Sequence, residues 1–220
     1  THFYSAFSRG MPIPGPAPKG FIDILQKLWW PLDQALTLDA SRASAQLSLI
    51  GAIRGGTSLL FDHHASQRHI RGSLESIAGV VVEAGLRACL SYEVSDRLGD
   101  SVRDEGIAEN AAFLQLVQSG AYDAQRISGL FGLHASLTLS EGTLERCRAA
   151  APHNAGFHFH LAEGEADQSD SMSRYGERVT NRFYRHGMLE QRSVAAHGVH
   201  LDDAEIAVLA SSSTRVTHQP

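Results

Sequence analysis

The chain has 220 residues, of which 43% are hydrophobic and 20% charged, proportions that are ordinary for a globular protein. Nineteen Lys and Arg stand against 24 Asp and Glu, a formal charge of −5 with no basic block, which argues against nucleic acid or an anionic membrane as partner. We therefore expect a small-molecule substrate, no nucleic-acid partner and no membrane association, and we leave a homodimer open.

Cysteine and hydropathy patterns restrict the class of protein further. Cys89 and Cys147 form neither a disulfide framework nor a zinc-finger spacing. Charged residues break the apolar runs well short of the roughly 20 residues of a membrane helix, and the first ten residues lack a signal-peptide pattern. We expect a cytoplasmic protein. Histidine, with 12 residues, is the residue type in excess.

The N-terminal segment differs from the rest of the chain. "PIPGPAPKG" (12–20) predicts an extended loop, and "FIDILQKLWWPLDQAL" (21–36) a short amphipathic helix that Pro31 stops. Its two tryptophans suit either the core or a lid. We expect residues 1–37 to form the loop after a first strand, with this lid-like helix, and residues 38–220 to form a partial barrel body.

From residue 38 onward, helices alternate with short strands. The first helix carries Asp39 near its N-cap, Ser140 caps a later one, and Asp202 with Glu205 forms a capping-box-like pair before the last. One helix carrying Tyr175 is expected to run to Gly187. The other predicted helices begin near residues 38, 66, 105, 140 and 202. The predicted strands are 57–62, 87–94, 129–136, 156–163, 193–200 and 214–220.

Alternation of this kind predicts crossover connections and a parallel sheet, hence an α/β fold. A doubly wound sheet and a (β/α)₈ barrel both satisfy it, but no G-x-G-x-x-G follows the first predicted strand. Histidines recur where strands end, and in a (β/α)₈ barrel those ends converge on the active site. This pattern favours a TIM-type barrel. The histidines at strand ends are His63, His64, His134, His160, His197 and His218.

The stretch "FHFHLAEGE" (157–165) carries the chemistry. His158 and His160 share one side of a strand, and Glu163 follows where the chain turns. Imidazoles bind zinc and other first-row metals, and a carboxylate beside a metal-activated water can move its proton. Taken alone, the stretch also fits a pair of hydrogen-bonded core histidines. With His197 at the end of the next strand, we favour a metal site.

"FHFHLAEGE", "AAHGVH" and "VTHQP" resemble the amidohydrolase superfamily, in the branch of cytosine, guanine and chlorotriazine aminohydrolases, and the resemblance runs essentially end to end. It implies a divalent metal, zinc first, with iron or manganese as alternatives. His2, His160 and His197 match metal-site histidines, and Glu163 matches the proton shuttle. His197 matches a histidine that holds the metal or its water, and the role of His158 stays open. Substrate-binding candidates are His134, His64 and His218.

The sequence departs from the family pattern at both ends. The first histidine of the first-strand pair would precede Thr1, the eighth-strand Asp would follow Pro220, and "HQP" replaces the usual "HNP". We expect an incomplete barrel with strands two to seven present, strand one truncated and strand eight missing. We also expect this fragment to have little activity by itself.

The leading hypothesis is a metal-dependent hydrolase of a non-peptide C–N bond, by resemblance a deaminase of a small amino-substituted heterocycle. One alternative keeps the site and changes the leaving group, as in hydrolytic dechlorination of a triazine. A second alternative, from another class, is a catalytically silent barrel with a binding or assembly role.

Overall fold

In the computed structural model, which describes residues 1–219, the chain divides into two compact units. The first comprises Thr1–Tyr92 and Ala112–Gly129, and the second comprises Glu93–Ala111 and the chain from Leu130 onward. The expected boundary between residues 37 and 38 stays a prediction. No helix in residues 1–219 is both long and apolar enough to cross a bilayer.

The first unit is a three-stranded parallel sheet in the order β1-β2-β3, with helices between the strands. Helix α4 places Leu74, Ile77 and Val81 in the core at steps of three and four, so that one stripe of the helix is fully buried. The elements of this unit are a 3₁₀ turn Phe3–Ser8, α1 Phe21–Ile24, a π-helical turn Leu25–Trp29, α2 Trp30–Ala35, α3 Leu38–Arg54, β1 Leu59–His64, α4 Ser73–Glu83, β2 Arg87–Tyr92 and β3 Ile127–Gly129.

The second unit is a four-stranded parallel sheet in the order β4-β5-β6-β7. Helix α5 Asp100–Gln118 has residues in both units. The other elements are β4 Phe131–Ala135, a 3₁₀ turn Ser136–Thr138, α6 Glu141–Ala150, β5 Phe157–Leu161, α7 Glu165–Tyr175, α8 Val179–Arg185, β6 Val194–His197, α9 Asp203–Ser212 and β7 Arg215–His218. Parallel strands joined through helices confirm the expected α/β class.

Two predicted helix starts are confirmed in atomic detail. The Ser140 hydroxyl accepts from the Thr143 N–H, and Asp202 with Glu205 forms a reciprocal capping box at α9. At α3 the expectation that Asp39 lies near the N-cap is also confirmed. The N-cap is Thr37, whose hydroxyl accepts from Ala40 N–H at 3.1 Å, while Asp39 lies in the first turn.

The segment predicted as one strand over 129–136 is two strands. Residues 127–129 pair with β2, residues 131–135 pair with β5, and Leu130 lies between them. The residues 1–219 therefore contain seven strands where six were predicted. The hydrophobic pattern is continuous across Leu130, so the sequence carries no sign that the backbone changes pairing partner there.

Two helix ends also differ from expectation. Pro31 does not stop the N-terminal helix but lies in the first turn of α2, where a missing N–H is tolerated, after a π-helical turn. The helix expected to run to Gly187 breaks at Gly176, which has φ +73°, a left-handed conformation suited to glycine.

Candidate metal and proton-transfer site

The four strands of the second unit each carry a histidine at or next to their C-terminal end. In the sheet register, Leu161 lies opposite His197, and His197 lies opposite His218. Because the strands are parallel, these histidines lie along one edge of one sheet, as the sequence predicted. They are His134 on β4, His160 on β5, His197 on β6 and His218 on β7.

Three of the imidazoles form a chain. The ring centroids of His134 and His160 are 5.7 Å apart, and those of His160 and His197 are 5.4 Å apart with an interplanar angle of 26°. Zinc–nitrogen bonds are about 2.0–2.1 Å long, so two rings that share one ion have centroids within roughly 6 Å of each other. Both pairs lie within this distance, and imidazole donors fit zinc, iron or manganese.

Glu163 lies beside this pair. Its Oε2 is 3.4 Å from His197 Nε2, and its side chain is about one-third exposed. Burial raises the pKa of the Glu163 carboxyl, and the nearby His197 opposes that rise. A carboxyl with a raised pKa binds a proton more readily, which favours its use as a proton carrier.

The hydrogen bond of His197 sets its tautomer. His197 Nδ1 lies 3.1 Å from the carbonyl oxygen of Gln219, so Nδ1 donates and Nε2 carries no proton in the neutral ring. Nε2 then faces Glu163 Oε2, and two acceptors at 3.4 Å need a proton between them or a shared cation. The two atoms are therefore placed to hold one proton between them or to lie beside one bound metal ion.

Left-handed backbone at the strand ends orients these side chains. Ala162, directly before Glu163, has φ +47°, and His197 has φ +76°. The carbonyl of Ala162 accepts the N–H of His200 at 3.0 Å. Such conformations cost about 1–2 kcal/mol in a residue with a Cβ and are concentrated at functional sites.

His134 is held by a hydroxyl on its own loop. Thr138 Oγ1 donates to the carbonyl of Ala135 at 3.0 Å and therefore accepts from His134 Nδ1 at 2.7 Å. His134 Nε2 then lies 3.9 Å from Glu93 Oε1, and Glu93 is paired with Arg97 at 3.1 Å. Sequence reasoning missed Glu93 and Arg97, although a charged pair just after a strand end was a usable signal.

His218 and His158 also lie in this unit, where the substrate role of His218 stays a prediction and the role of His158 stays open. The His218 ring is exposed, and its Nδ1 donates to the His197 carbonyl at 2.9 Å. His158 is 6% exposed within β5. The final Pro220 of "HQP" lies outside the described residues.

The first unit contains His2, His63 and His64. His2 Nδ1 lies 2.7 Å from the His63 carbonyl oxygen, a bond that leaves Nε2 as the nitrogen suited to a metal. His64 is fully buried, its Nε2 lies 2.8 Å from Ser66 Oγ, and burial lowers its pKa to about 3. The metal role of His2 and the substrate role of His64 stay predictions.

The amidohydrolase family profile matches residues 1–220. A 5'-deoxyadenosine deaminase of Methanobrevibacter smithii is 32% identical over 192 residues, covering 87% of this chain and 42% of that protein. A 5-methylthioadenosine/S-adenosylhomocysteine deaminase of Haloarcula marismortui is 32% identical over 197 residues, covering 89% and 44%.

Among solved structures, an adenosine deaminase from Xanthomonas campestris with bound zinc superposes with a TM-score of 0.82 at 26% identity, covering all of this chain and 47% of that one. The chain thus spans less than half the length of these relatives, in agreement with a partial TIM-type barrel. With a family match over its whole length, this chain belongs to the amidohydrolase family.

Proposed function

We propose that the protein is a metal-dependent aminohydrolase that replaces the exocyclic amino group of an amino-substituted heterocycle, most plainly a 6-aminopurine nucleoside, with oxygen. The observation that carries the proposal is the placement of the Glu163 carboxylate 3.4 Å from His197 Nε2, with the His160 ring stacked on His197. The relatives named as deaminases of adenosine-like compounds support this substrate class.

In this reaction, a carbon–oxygen bond forms at the amino-bearing ring carbon, the carbon–nitrogen bond breaks and ammonia leaves. His160 and His197 would hold a divalent cation, which when bound acidifies water and polarises the substrate. The expectation that His2 is a further ligand belongs to the same proposal.

Glu163 accepts the proton of the attacking water and delivers it to the departing amino group. Its raised pKa favours this use as a proton carrier. His197 would use Nε2 either to hold the cation or to orient its water, because its Nδ1 is engaged by the Gln219 carbonyl. His134, fixed by Thr138, presents Nε2 for a substrate contact.

Glu163→Gln in the whole protein tests the assignment. We expect zinc to stay bound and ammonia release to fall about 10²- to 10⁴-fold, because the amide cannot carry the proton. Glu165→Gln is the matched control, since Glu165 is exposed on α7 and lies only two residues away. Near-normal turnover by the Glu163→Gln protein would remove Glu163 from the mechanism.

A substrate screen separates the alternatives. Adenosine, 5'-deoxyadenosine, aminopyrimidines and pterins are assayed for ammonia release, and chlorotriazines for chloride release. Chloride without ammonia would favour the dechlorination alternative. A whole protein that retains no zinc, iron or manganese after mild purification would favour the silent barrel.

The cytoplasmic location, the homodimer and the absence of a nucleic-acid partner belong to this proposal as well. The acidic composition and the small-molecule chemistry of the family support the location and the absence of a nucleic-acid partner, while the homodimer stays open. Sedimentation of the purified protein measures the oligomeric state directly.

A further inference from the structure

A buried carboxylate in the second unit joins two segments that the proposed mechanism uses. Asp167 lies in the first turn of α7 and is 1% exposed. Its Oδ1 accepts the N–H of Leu137 at 2.9 Å, and its Oδ2 accepts the N–H of Ala162 at 3.2 Å. One side chain therefore holds the turn after β4 and the end of β5.

The Ala162 bond fixes the approach to Glu163. Ala162 is the residue before Glu163 and has φ +47°, a conformation that is held only where its surroundings favour it. Its N–H is bound by Asp167, and its carbonyl is bound by the N–H of His200. Because both the N–H and the carbonyl of Ala162 are hydrogen-bonded, the backbone orientation at Glu163 is fixed.

The Leu137 bond fixes the support of His134. Leu137 is the middle residue of the 3₁₀ turn Ser136–Thr138. Thr138, the next residue, accepts from His134 Nδ1. A displacement of this turn would move the hydroxyl that sets the orientation and tautomer of the His134 ring.

Only a carboxylate provides both bonds. Asparagine has one acceptor oxygen, and its amide nitrogen would face a backbone N–H, so one of the two bonds must be lost. Burial raises the pKa of the Asp167 carboxyl to about 7, against the lowering effect of the N–H bonds from Leu137 and Ala162. Above about pH 7 the ionised carboxylate, which accepts both N–H groups, is therefore the main form.

We propose that Asp167 is a positioning residue whose carboxylate fixes Glu163 and His134 relative to each other. This inference rests on the proposed deaminase function for the roles of those two residues. Asp167 contacts neither substrate nor metal in the proposal and acts through the backbone of Ala162 and Leu137.

The test is Asp167→Asn in the whole protein, with Glu165→Gln as the matched control. Glu165 lies in the same first turn of the helix and is exposed. We expect Asp167→Asn to lower kcat about 10- to 100-fold at unchanged zinc content and with little change in KM, because loss of an outer support of a site typically has that effect. Residue-resolved amide exchange should accelerate at Leu137 or Ala162 in Asp167→Asn only.

Equal kcat in the two variants, or unchanged exchange at both amides, would overturn the inference. If Asp167→Asn does not fold, amide exchange in the unsubstituted protein tests the inference instead. Fast exchange at both Leu137 and Ala162 would overturn the inference. If the unsubstituted protein deaminates none of the substrates, the proposed function fails, and the exchange data still show whether Asp167 holds these amides.

Discussion

The arginine Arg182 on α8 is fully buried and holds the loop after β4. Its Nε donates to Glu141 Oε1 at 2.7 Å, and its Nη1 donates to the carbonyl and hydroxyl of Ser136 at 3.1 and 2.7 Å. Its Nη2 donates to the Leu139 carbonyl at 2.7 Å. The guanidinium also lies 3.8 Å from the ring centroid of Tyr175. We predict that Arg182→Met destabilises the protein strongly.

The magnitude follows from what the substitution leaves behind. The buried carbonyls of Ser136 and Leu139 lose this donor at a cost of about 1–3 kcal/mol each, and the ion pair with Glu141, whose side chain is 36% exposed, adds about 0–1 kcal/mol. Methionine restores part of the packing, so a net loss of about 4 kcal/mol is expected. At about 2–4 °C per kcal/mol for a chain of this size, Tm falls by about 8–16 °C.

Arg185→Met is the control for this prediction. Arg185 is on the same helix and pairs with the same Glu141 at 2.7 Å, but its side chain is 49% exposed. Exposed ion pairs contribute about 0–1 kcal/mol, so Tm should move by no more than about 4 °C. The assay is urea and thermal unfolding of both variants. Similar losses in the two variants would refute the reasoning that burial sets the energy.

Acid unfolding provides a second check. Burial alone would raise the pKa of Glu141, but hydrogen bonds from Arg182, Arg185 and His186 lower it to about 2. Because the folded pKa lies below the ordinary value of 4.5, this carboxylate stabilises the fold above pH 4.5 and loses its contribution as pH falls toward 2. Arg182→Met should reduce the loss of stability in that window, and an unchanged slope would contradict the assignment.

Two further substitutions test local features by urea unfolding. Gly156→Ala should lower the free energy of unfolding by about 1–3 kcal/mol, because a Cβ there would lie 2.4 Å from the Arg192 carbonyl oxygen. Gly142→Ala on α6 is the control, because a Cβ there meets open space, and it should be neutral or stabilise by up to about 1 kcal/mol. Asp202→Ala should cost about 0.5–2 kcal/mol by removing the capping box of α9, and a loss below measurement would mean that the cap is redundant.

Much of the local structure was predictable from short-range patterns. The strand that contains His160, the cap at Ser140 and the capping box of Asp202 depend on residues within four positions of each other. The recurrence of histidine at strand ends was predictable for the same reason, since a strand end is marked by the residues that follow it. Steric and hydrogen-bonding preferences of this kind act within one turn or one strand.

The change of pairing partner at Leu130 and the helix break at Gly176 were not predictable in that way. The first depends on which neighbouring strand offers free backbone groups, and the second on a left-handed residue inside a continuous amphipathic pattern. Neither alters the local hydrophobic period from which the elements were predicted.

The sequence by itself determined the family resemblance, the alternation of strands and helices, and the residue types available to bind a metal and move a proton. The tertiary structure alone decided how they are used: Glu163 meets His197 from 34 positions away, Arg182 reaches Ser136 across 46, and Asp167 joins Leu137 to Ala162. Spacing along the chain cannot encode such contacts, because each depends on the register of separate strands. Each also depends on burial, because a buried polar group without a hydrogen-bond partner costs free energy.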